Sequence, residues 1–310
     1  MKKIDESLQK MMKRKDFKDM YQNMREEILS DPYIQHFLKE NYLSLHSDIV
    51  NQSLMKLYEY KSQSKECQQC PSLGECKNMM KGYEPTLVVD KGTINLSYHK
   101  CPRQQQADQQ NKMQSLIQSV YVPKDVLNAT FQHIDLDTPT RMKAVRQAMN
   151  LVDTIETSSK KGLYIHGKFG VGKSYILGAI ANELATKKIS SYIVYVPEFF
   201  SRDEECLRRF RKINDKLDAV KNAPVLMLDD IGAESMSSWA RDEILGTILQ
   251  HRMLENLPTF FSSNFNFEEL EHHLAYSQRG EEEKLKAARI MERINYLATP
   301  IALDGPNRRG

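Results

Sequence analysis

One eight-residue stretch, Gly167–Ser174, limits the possible folds of this chain more than any other feature, because it fits the pattern G-x-x-x-x-G-K-[ST]. The mostly apolar run Leu163–His166 before it is predicted to be a buried strand, and apolar residues recur at helical spacing through residues 176–184 after it. Between a strand and a helix, this pattern binds nucleotide phosphates, because backbone N–H groups and the positive end of the helix face them. The residues predicted to bind ATP are Gly167, Lys168, Phe169, Gly170, Val171, Gly172, Lys173 and Ser174.

Four side chains have predicted tasks around the bound nucleotide. Lys173 is expected to reach the β- and γ-phosphates, and the Ser174 hydroxyl to ligate Mg²⁺. Asp229 and Asp230 follow the apolar run 225–228, which is predicted to be a buried strand, so both carboxylates lie at its carboxyl end. Asp229 is assigned to Mg²⁺ through its water shell, and Asp230 to the attacking water as general base. The alternative is a solvated aspartate pair in a turn.

The whole-chain composition predicts a soluble protein of about two domains. Of the 310 residues, 40% are hydrophobic and 27% are charged, and no apolar run approaches the ~20 residues that cross a bilayer. The first residues lack the apolar core of a signal peptide, so we expect a cytoplasmic protein. A net charge of +3 is too small to indicate a nucleic-acid partner.

The order of motifs predicts where the domains begin and end. Residues 1–105 are predicted to form a smaller, largely helical N-terminal domain. A glutamine-rich run from Gln104 has few apolar anchors, so residues 106–125 are predicted to be a linker. Residues 126–310 alternate predicted strands (163–166, 192–196, 225–228, 258–263) with helices, which is typical of an α/β fold with a parallel sheet.

A cysteine cluster in the N-terminal domain predicts a structural zinc site. Cys67, Cys70, Cys76 and Cys101 lie within 35 residues, and the C-x₂-C spacing of the first pair is a common chelating unit for Zn²⁺. His99 could replace one thiol. The alternatives are unpaired structural cysteines or disulfides, and the cytoplasmic location argues against disulfides.

A basic stretch in the second domain is a candidate for binding single-stranded DNA. Residues 199–212 hold four arginines, one lysine and three phenylalanines, and cations with interleaved rings suit a DNA strand whose bases stack on aromatic side chains. The alternative is a solvated helix whose aromatic side chains belong to the core. Trp239 could stack on a base or pack a helix.

The phosphate-binding loop, the 225–230 strand and Phe261–Asn264 together resemble the AAA+ ATPases. Residues 229–234 and 289–294, together with the cysteine-bearing N-terminal domain, are similar to the helicase-loader branch of that superfamily. The resemblance implies an ATPase that binds the hexameric replicative DNA helicase, single-stranded DNA, other primosome proteins and further copies of itself. It also implies that Asn264 contacts the attacking water or the γ-phosphate, and that Arg293, with Arg289 as second candidate, completes a neighbouring subunit's site.

Two departures from the AAA+ pattern bear on activity. The usual Asp-Glu pair is Asp229-Asp230 here, which predicts slow hydrolysis. Only 16 residues follow Ile294, too few for a helical lid, so Arg308 or Arg309 would have to supply any further phosphate-contacting arginine. The alternatives are an ATP-binding adaptor with little hydrolysis, a transposition-helper-type ATPase and a metabolic P-loop kinase.

Overall fold

The computed structural model describes residues 15–63, 67–155, 157, 161–200, 212–233, 237–276 and 283–308. The chain divides into two compact units, Met1–Gln110 and Asn111–Gly310. No helix within the described ranges is long and apolar enough to cross a membrane.

The first unit packs short helices against a two-stranded hairpin. Asp31 caps the second helix by accepting the N–H groups of Tyr33 (3.0 Å) and Ile34 (3.2 Å). Ser53 accepts the backbone N–H of Ile94 at 3.0 Å and so ties the hairpin to the helices. The elements are α1 Lys15–Leu29, α2 Pro32–Glu40, α3 Asp48–Gln52, α4 Leu54–Lys61, β1 Tyr83–Asp90 and β2 Thr93–Lys100, with a 3₁₀ turn at Cys67–Gln69. The helical prediction for residues 1–62 is confirmed from Lys15 onward, and residues 1–14 lie outside the described ranges.

The predicted linker holds more regular structure than its composition suggests. Helix α5 (Pro102–Ser115) has no buried residue, as expected of a solvated connector. Strand β3 (Ile117–Val120) follows it and pairs in parallel with Ser191–Val194, so this part of residues 106–125 belongs to the sheet.

The second unit is built on a six-stranded parallel sheet of order β3-β5-β6-β7-β4-β8. The four predicted strands are confirmed to within one residue at each end. The edge strand β8, which carries Pro300, was not predicted. The remaining elements are α6 Lys124–Leu127, α7 Pro139–Thr154, β4 Gly162–His166, α8 Lys173–Thr186, β5 Ser191–Tyr195, α9 Lys212–Asn222, β6 Val225–Asp229, α10 Gly246–Leu254, β7 Thr259–Ser263, α11 Phe267–Ala275, α12 Lys284–Leu297 and β8 Ala298–Ala302, with a 3₁₀ turn at Phe131–His133 and a π-helical turn at Ala240–Leu245.

Alternate residues of the central strands face two separate cores. Ile193, Met227 and Phe260 pack with α7 and α8 on one face of the sheet, whereas Val194 and Leu228 pack with α10, α11 and α12 on the other. Because both faces are covered, these strands are continuous apolar runs rather than alternating ones. The sheet order places β6, β7 and β4 side by side, so the residues that follow their carboxyl ends meet at one edge.

The structure describes only part of the basic stretch 199–212. Residues 201–211, which include its four arginines and Phe210, lie outside the described ranges. Phe199 and Phe200 are buried in the core and pack edge-to-face with ring centroids 5.3 Å apart. These two rings are therefore core residues, as the alternative interpretation of the stretch proposed, and are not exposed for base stacking.

Candidate nucleotide-binding site

The carboxyl ends of β4, β6 and β7 open onto a cavity of about 720 Å³. Gly170, Gly172 and Lys173 of the phosphate-binding loop line it together with Asp230 and Asn264. Gly170 (φ 76°) and Gly172 (φ 91°) have left-handed backbones that favour glycine. The structure thus brings together residues that are up to 94 positions apart in the chain.

Lys173 links the loop to the neighbouring strand. Its Nζ donates to the carbonyls of Gly167 and Lys168, both at 2.9 Å, and to Asn264 Oδ1 at 2.7 Å. Its side chain is buried, and the exposed ring of Phe169 lies 6.0 Å from Nζ. The ammonium is therefore fixed at the edge of the cavity, where a phosphate oxygen would replace one of its three present acceptors.

Asp229 and Asp230 occupy different environments. Asp229 is buried and accepts hydrogen bonds from Ser174 Oγ (2.8 Å) and Ser262 Oγ (2.5 Å). Burial raises the pKa of Asp229 from its usual range, and these two hydroxyl donors oppose the shift. Asp230 is half-exposed and accepts from Asn264 Nδ2 at 2.9 Å. One carboxylate therefore faces the loop serine, and the other faces the cavity beside Asn264.

Two arginines reach the loop from distant parts of the chain. Arg141 of α7 is 3% exposed, donates through Nη2 to the Val171 carbonyl at 2.7 Å, and has Nε 3.3 Å from Asp137 Oδ1. Burial, and then the charge of Arg308, lower the pKa of Arg141. Spacing within the sequence gave no signal for Arg141, because it lies 30 residues before Val171.

Arg308 brings the C-terminal segment across the loop. Its backbone N–H donates to the Gly170 carbonyl at 2.9 Å, and its guanidinium pairs with Asp135 and Asp137. A Cβ on Gly170 would lie 1.8 Å from Asn307 Oδ1, so a larger residue there would have to displace the Asn307 side chain. Of the two predicted tail arginines, Arg308 lines the cavity, and Arg309 lies outside the described residues.

Part of the cavity lining is apolar or aromatic. Tyr121, Pro123, Val126, His133 and Ile134 contribute to it. Such lining is typical of pockets that bind small organic ligands. None of these residues was predicted, because the short segments between residues 121 and 134 that carry them contain no recognisable motif.

Arg289 and Arg293 of α12 differ in their surroundings. Arg293 is half-buried, and its Nη1 donates to the Gly246 carbonyl at 2.8 Å. Arg289, one turn earlier, is exposed and forms no hydrogen bond or ion pair with any described residue. Neither lines the cavity of its own chain.

The four cysteines of the first unit lie near one another without forming a metal site. Cys67 and Cys101 are buried, and Cys70 and Cys76 are half-buried. Burial, Glu84 and the other three thiols raise the pKa of Cys67 to about 11. Within the described ranges, no three histidine, cysteine or acidic side chains are close enough together to hold a metal ion. His99 is exposed, with Nε2 3.4 Å from Ser97 Oγ.

Two sequence families match the chain, one for each unit. The family described as the primosomal protein DnaI N-terminus matches residues 1–98, and the bacterial DnaA ATPase domain matches residues 133–274. The second unit therefore contains a DnaA-like ATPase domain.

Three individual proteins resemble this chain over different lengths, and one of them matches all of it. The replicative helicase loader DnaI of Bacillus subtilis (strain 168) is 51% identical over 310 residues, which is all of this chain and 99% of that protein. A crystal structure of DnaI is 56% identical, with a TM-score of 0.57 over 64% of this chain and 100% of the other. The replicative helicase loader DnaC of Escherichia coli (strain K12) is 25% identical over 168 residues, 54% of this chain and 63% of that protein. This chain therefore belongs to the family of DnaI-type replicative helicase loaders.

Proposed function

We propose that this chain is an ATP-dependent loader that binds the replicative DNA helicase and delivers it onto single-stranded DNA during the initiation or restart of replication. The observation that carries the proposal is the 51% identity, over the full chain, to a replicative helicase loader. The assembled loop, carboxylates and Asn264 supply the ATP site that such a loader needs.

In this proposal each of the two units has its own binding partners. The unit Met1–Gln110 binds the hexameric helicase, and its match to the DnaI N-terminus supports this role. The unit Asn111–Gly310 binds ATP, self-associates and contacts single-stranded DNA. The same role implies that the chain contacts other primosome proteins and acts in the cytoplasm.

Hydrolysis in this site is proposed to depend on five polar side chains around the γ-phosphate. Lys173 already points its Nζ into the loop and would exchange the Gly167 and Lys168 carbonyls for phosphate oxygens. Ser174 and Asp229 would hold Mg²⁺, which neutralises developing charge on the phosphates when bound. Asp230 would accept a proton from the attacking water, and Asn264, which donates to Asp230 at 2.9 Å, would fix the position of that water.

A neighbouring copy is proposed to complete the site with an arginine from α12. Arg293, the first candidate from the sequence, donates to the Gly246 carbonyl and would have to break that bond to reach another subunit. Arg289 is exposed on the same face, so the geometry favours it as the arginine presented to the neighbour. An arginine supplied in trans accelerates phosphoryl transfer by ~10³–10⁵ in GTPase systems.

Zinc is proposed to hold the cysteine cluster together. The donors are the four thiols of the cluster. The Cys70 N–H donates to the Cys67 carbonyl at 3.4 Å, which turns the chain between these two cysteines. Four soft thiolates are the donor set of a closed structural Zn²⁺ site, and the ion would have to draw the thiols closer together than they lie here. Cys67, Cys70, Cys76 and Cys101 would hold the ion and order residues 67–101.

One observation favours a second candidate function, an ATP-binding adaptor with little turnover. Asp230 replaces the glutamate of the usual pair and is one methylene shorter, so its carboxylate is farther from the water it would activate. The adaptor and the loader ATPase differ in one measurable quantity, the rate of ATP hydrolysis in the full helicase complex.

The test is a loading assay with the full chain, helicase, ATP and circular single-stranded DNA. The wild type should load helicase and hydrolyse ATP, and Lys173→Ala should do neither. Its ATP affinity should fall about 10–100-fold, because charge-assisted hydrogen bonds contribute ~1.5–3 kcal/mol. Lys143→Ala, an exposed lysine on α7, is the matched control. Loading without measurable turnover would favour the adaptor, and no helicase binding at all would reject both functions.

A further inference from the structure

Ser262 contacts both aspartates of the site through a single hydroxyl. Its side chain is fully buried, and Oγ donates to Asp229 Oδ1 at 2.5 Å while it accepts the backbone N–H of Asp230 at 2.8 Å. A serine hydroxyl has one proton to donate and lone pairs to accept, so both capacities are used here in fixed directions. Ser262 does not line the cavity and so does not touch the nucleotide itself.

The sheet register explains why this serine reaches both carboxylates. Strands β6 and β7 run in parallel with Leu228 beside Phe261, and one further step places Ser262 beside Asp229. The Ile231 N–H donates to the Ser262 carbonyl at 2.9 Å, so the chain after β6 stays attached to β7 past Asp230. The position of Ser262 is therefore set by backbone pairing on both sides of the aspartates.

Asp230 has an unusual backbone that Ser262 helps to hold. Its φ is 62°, in the left-handed region that residues with a side chain rarely adopt. Such conformations persist only where the surroundings hold them in place. Here the Ser262 hydroxyl fixes the N–H of Asp230, and Asn264 Nδ2 fixes its carboxylate. The left-handed turn directs the Asp230 side chain to the cavity while Asp229 stays buried beside Ser174.

We propose that Ser262 is a positioning residue for ATP hydrolysis: its hydroxyl orients Asp229 toward the Mg²⁺ side of the site and keeps Asp230 in the left-handed turn that aims it at the attacking water. The proposal rests on the ATPase function proposed above. Ser262 is expected to act on turnover and on the Mg²⁺ requirement, with little effect on ATP affinity, because its hydroxyl bonds directly to neither the loop nor Lys173.

Ser263, the next residue, provides a matched control. It is also fully buried, and its Oγ donates to the Ile231 carbonyl at 2.7 Å and accepts the Phe265 N–H at 3.1 Å. Removing either hydroxyl therefore takes away two hydrogen bonds at the end of the same strand. The difference is that Ser263 contacts no carboxylate of the site, so a merely structural effect should appear in both variants.

The experiment compares Ser262→Ala, Ser262→Cys, Ser262→Thr and Ser263→Ala in the full chain. Steady-state ATPase is measured with helicase and single-stranded DNA while Mg²⁺ is titrated, and ATP affinity is measured separately. Ser262→Ala should lower kcat and raise the Mg²⁺ concentration for half-maximal rate, each by about 10–100-fold, the usual effect of removing a group that orients a metal ligand. ATP affinity should change less than about threefold.

The other variants separate positioning from packing. Ser262→Cys fills the volume without a competent hydroxyl and should resemble Ser262→Ala, and it keeps the test valid if the alanine variant fails to fold. Ser262→Thr restores the hydroxyl and should recover most turnover, and Ser263→Ala should leave the Mg²⁺ dependence unchanged.

Two results would overturn the proposal: wild-type kcat and Mg²⁺ dependence in the alanine or cysteine variant, or the same Mg²⁺ shift in Ser263→Ala. If the wild type itself hydrolyses no ATP, the proposed ATPase function fails instead, so the two failures are distinguishable.

Discussion

Arg252 should be one of the largest single contributors to the stability of the ATPase unit, although it takes no part in the nucleotide site. The side chain is fully buried in α10, and no carboxylate pairs with it among the described residues. It donates to Thr259 Oγ1 (2.8 Å) and to three backbone carbonyls, those of Lys221 (3.0 Å), Ala223 (2.8 Å) and Pro258 (2.7 Å). Burial lowers its pKa to about 9, so it remains a cation at pH 7.

The perturbation is Arg252→Met, which keeps the length of the side chain and removes its donors. Pro258 keeps a second donor, the Leu226 N–H at 3.1 Å, and the Thr259 hydroxyl still donates to Leu257. The Lys221 and Ala223 carbonyls lose a donor at the end of α9, where helical partners run out. At ~1–3 kcal/mol for each buried acceptor left unsatisfied, the cost is about 2–6 kcal/mol.

One term opposes this loss. Methionine removes the desolvation penalty of the buried cation, which offsets part of the cost. We therefore expect the free energy of unfolding of the Asn111–Gly310 unit to fall by ~2–4 kcal/mol.

The assay is urea unfolding followed by tryptophan fluorescence. Trp239 is the only tryptophan of the chain and lies in the second unit, so its emission reports on that unit. Arg146→Met, at an exposed position of α7, is the control and should change stability by less than ~0.5 kcal/mol. ATP affinity without urea should be retained. A loss below ~0.5 kcal/mol for Arg252→Met, or a loss equal to that of the control, would refute the reasoning.

Replacing Cys67 and Cys70 with serine should release about one equivalent of zinc and unfold the region near residues 67–101, while ATP binding by the second unit is retained; metal analysis and nucleotide titration check both. Arg289→Ala should bind ATP normally yet hydrolyse it poorly, and mixing it with Lys173→Ala protein should restore part of the turnover, because the second protein donates an intact arginine to the first; Arg293→Ala is tested alongside. Arg141→Met should weaken ATP binding about 10-fold, because the Val171 carbonyl of the loop loses its charged donor, as isothermal titration would show.

Each of these predictions can fail in a specific way. Wild-type zinc content in the cysteine variant would remove the metal from the account of the first unit. Mixed activity equal to the sum of the two separate activities, in proteins shown to co-assemble, would argue against an arginine supplied in trans. Equal ATP affinities for Arg141→Met and the exposed control Lys143→Met would leave Arg141 without a role at the loop.

The sequence by itself determined the phosphate-binding loop, the four central strands and the aspartates that follow one of them. These features depend on neighbours a few residues apart, since apolar periodicity and glycine spacing report on local backbone structure. The resemblance to AAA+ proteins added Asn264, and the structure brings it within 2.7 Å of Lys173 Nζ. The helicase-loader family was predicted in the same way and is confirmed by the full-length relative.

Only the tertiary structure decided which distant residues meet at the site. Arg141 lies 30 residues before Val171 and Arg308 lies 138 residues after Gly170, so no motif connects them. Their contacts depend on the strand order and on the path of the C-terminal segment. No sequence motif marks Ser262 either. Its contact with Asp229 results from the register between β6 and β7. Local sequence patterns specify individual helices and strands. Contacts between them depend on tertiary packing, which cannot be read from the spacing of residues in the sequence.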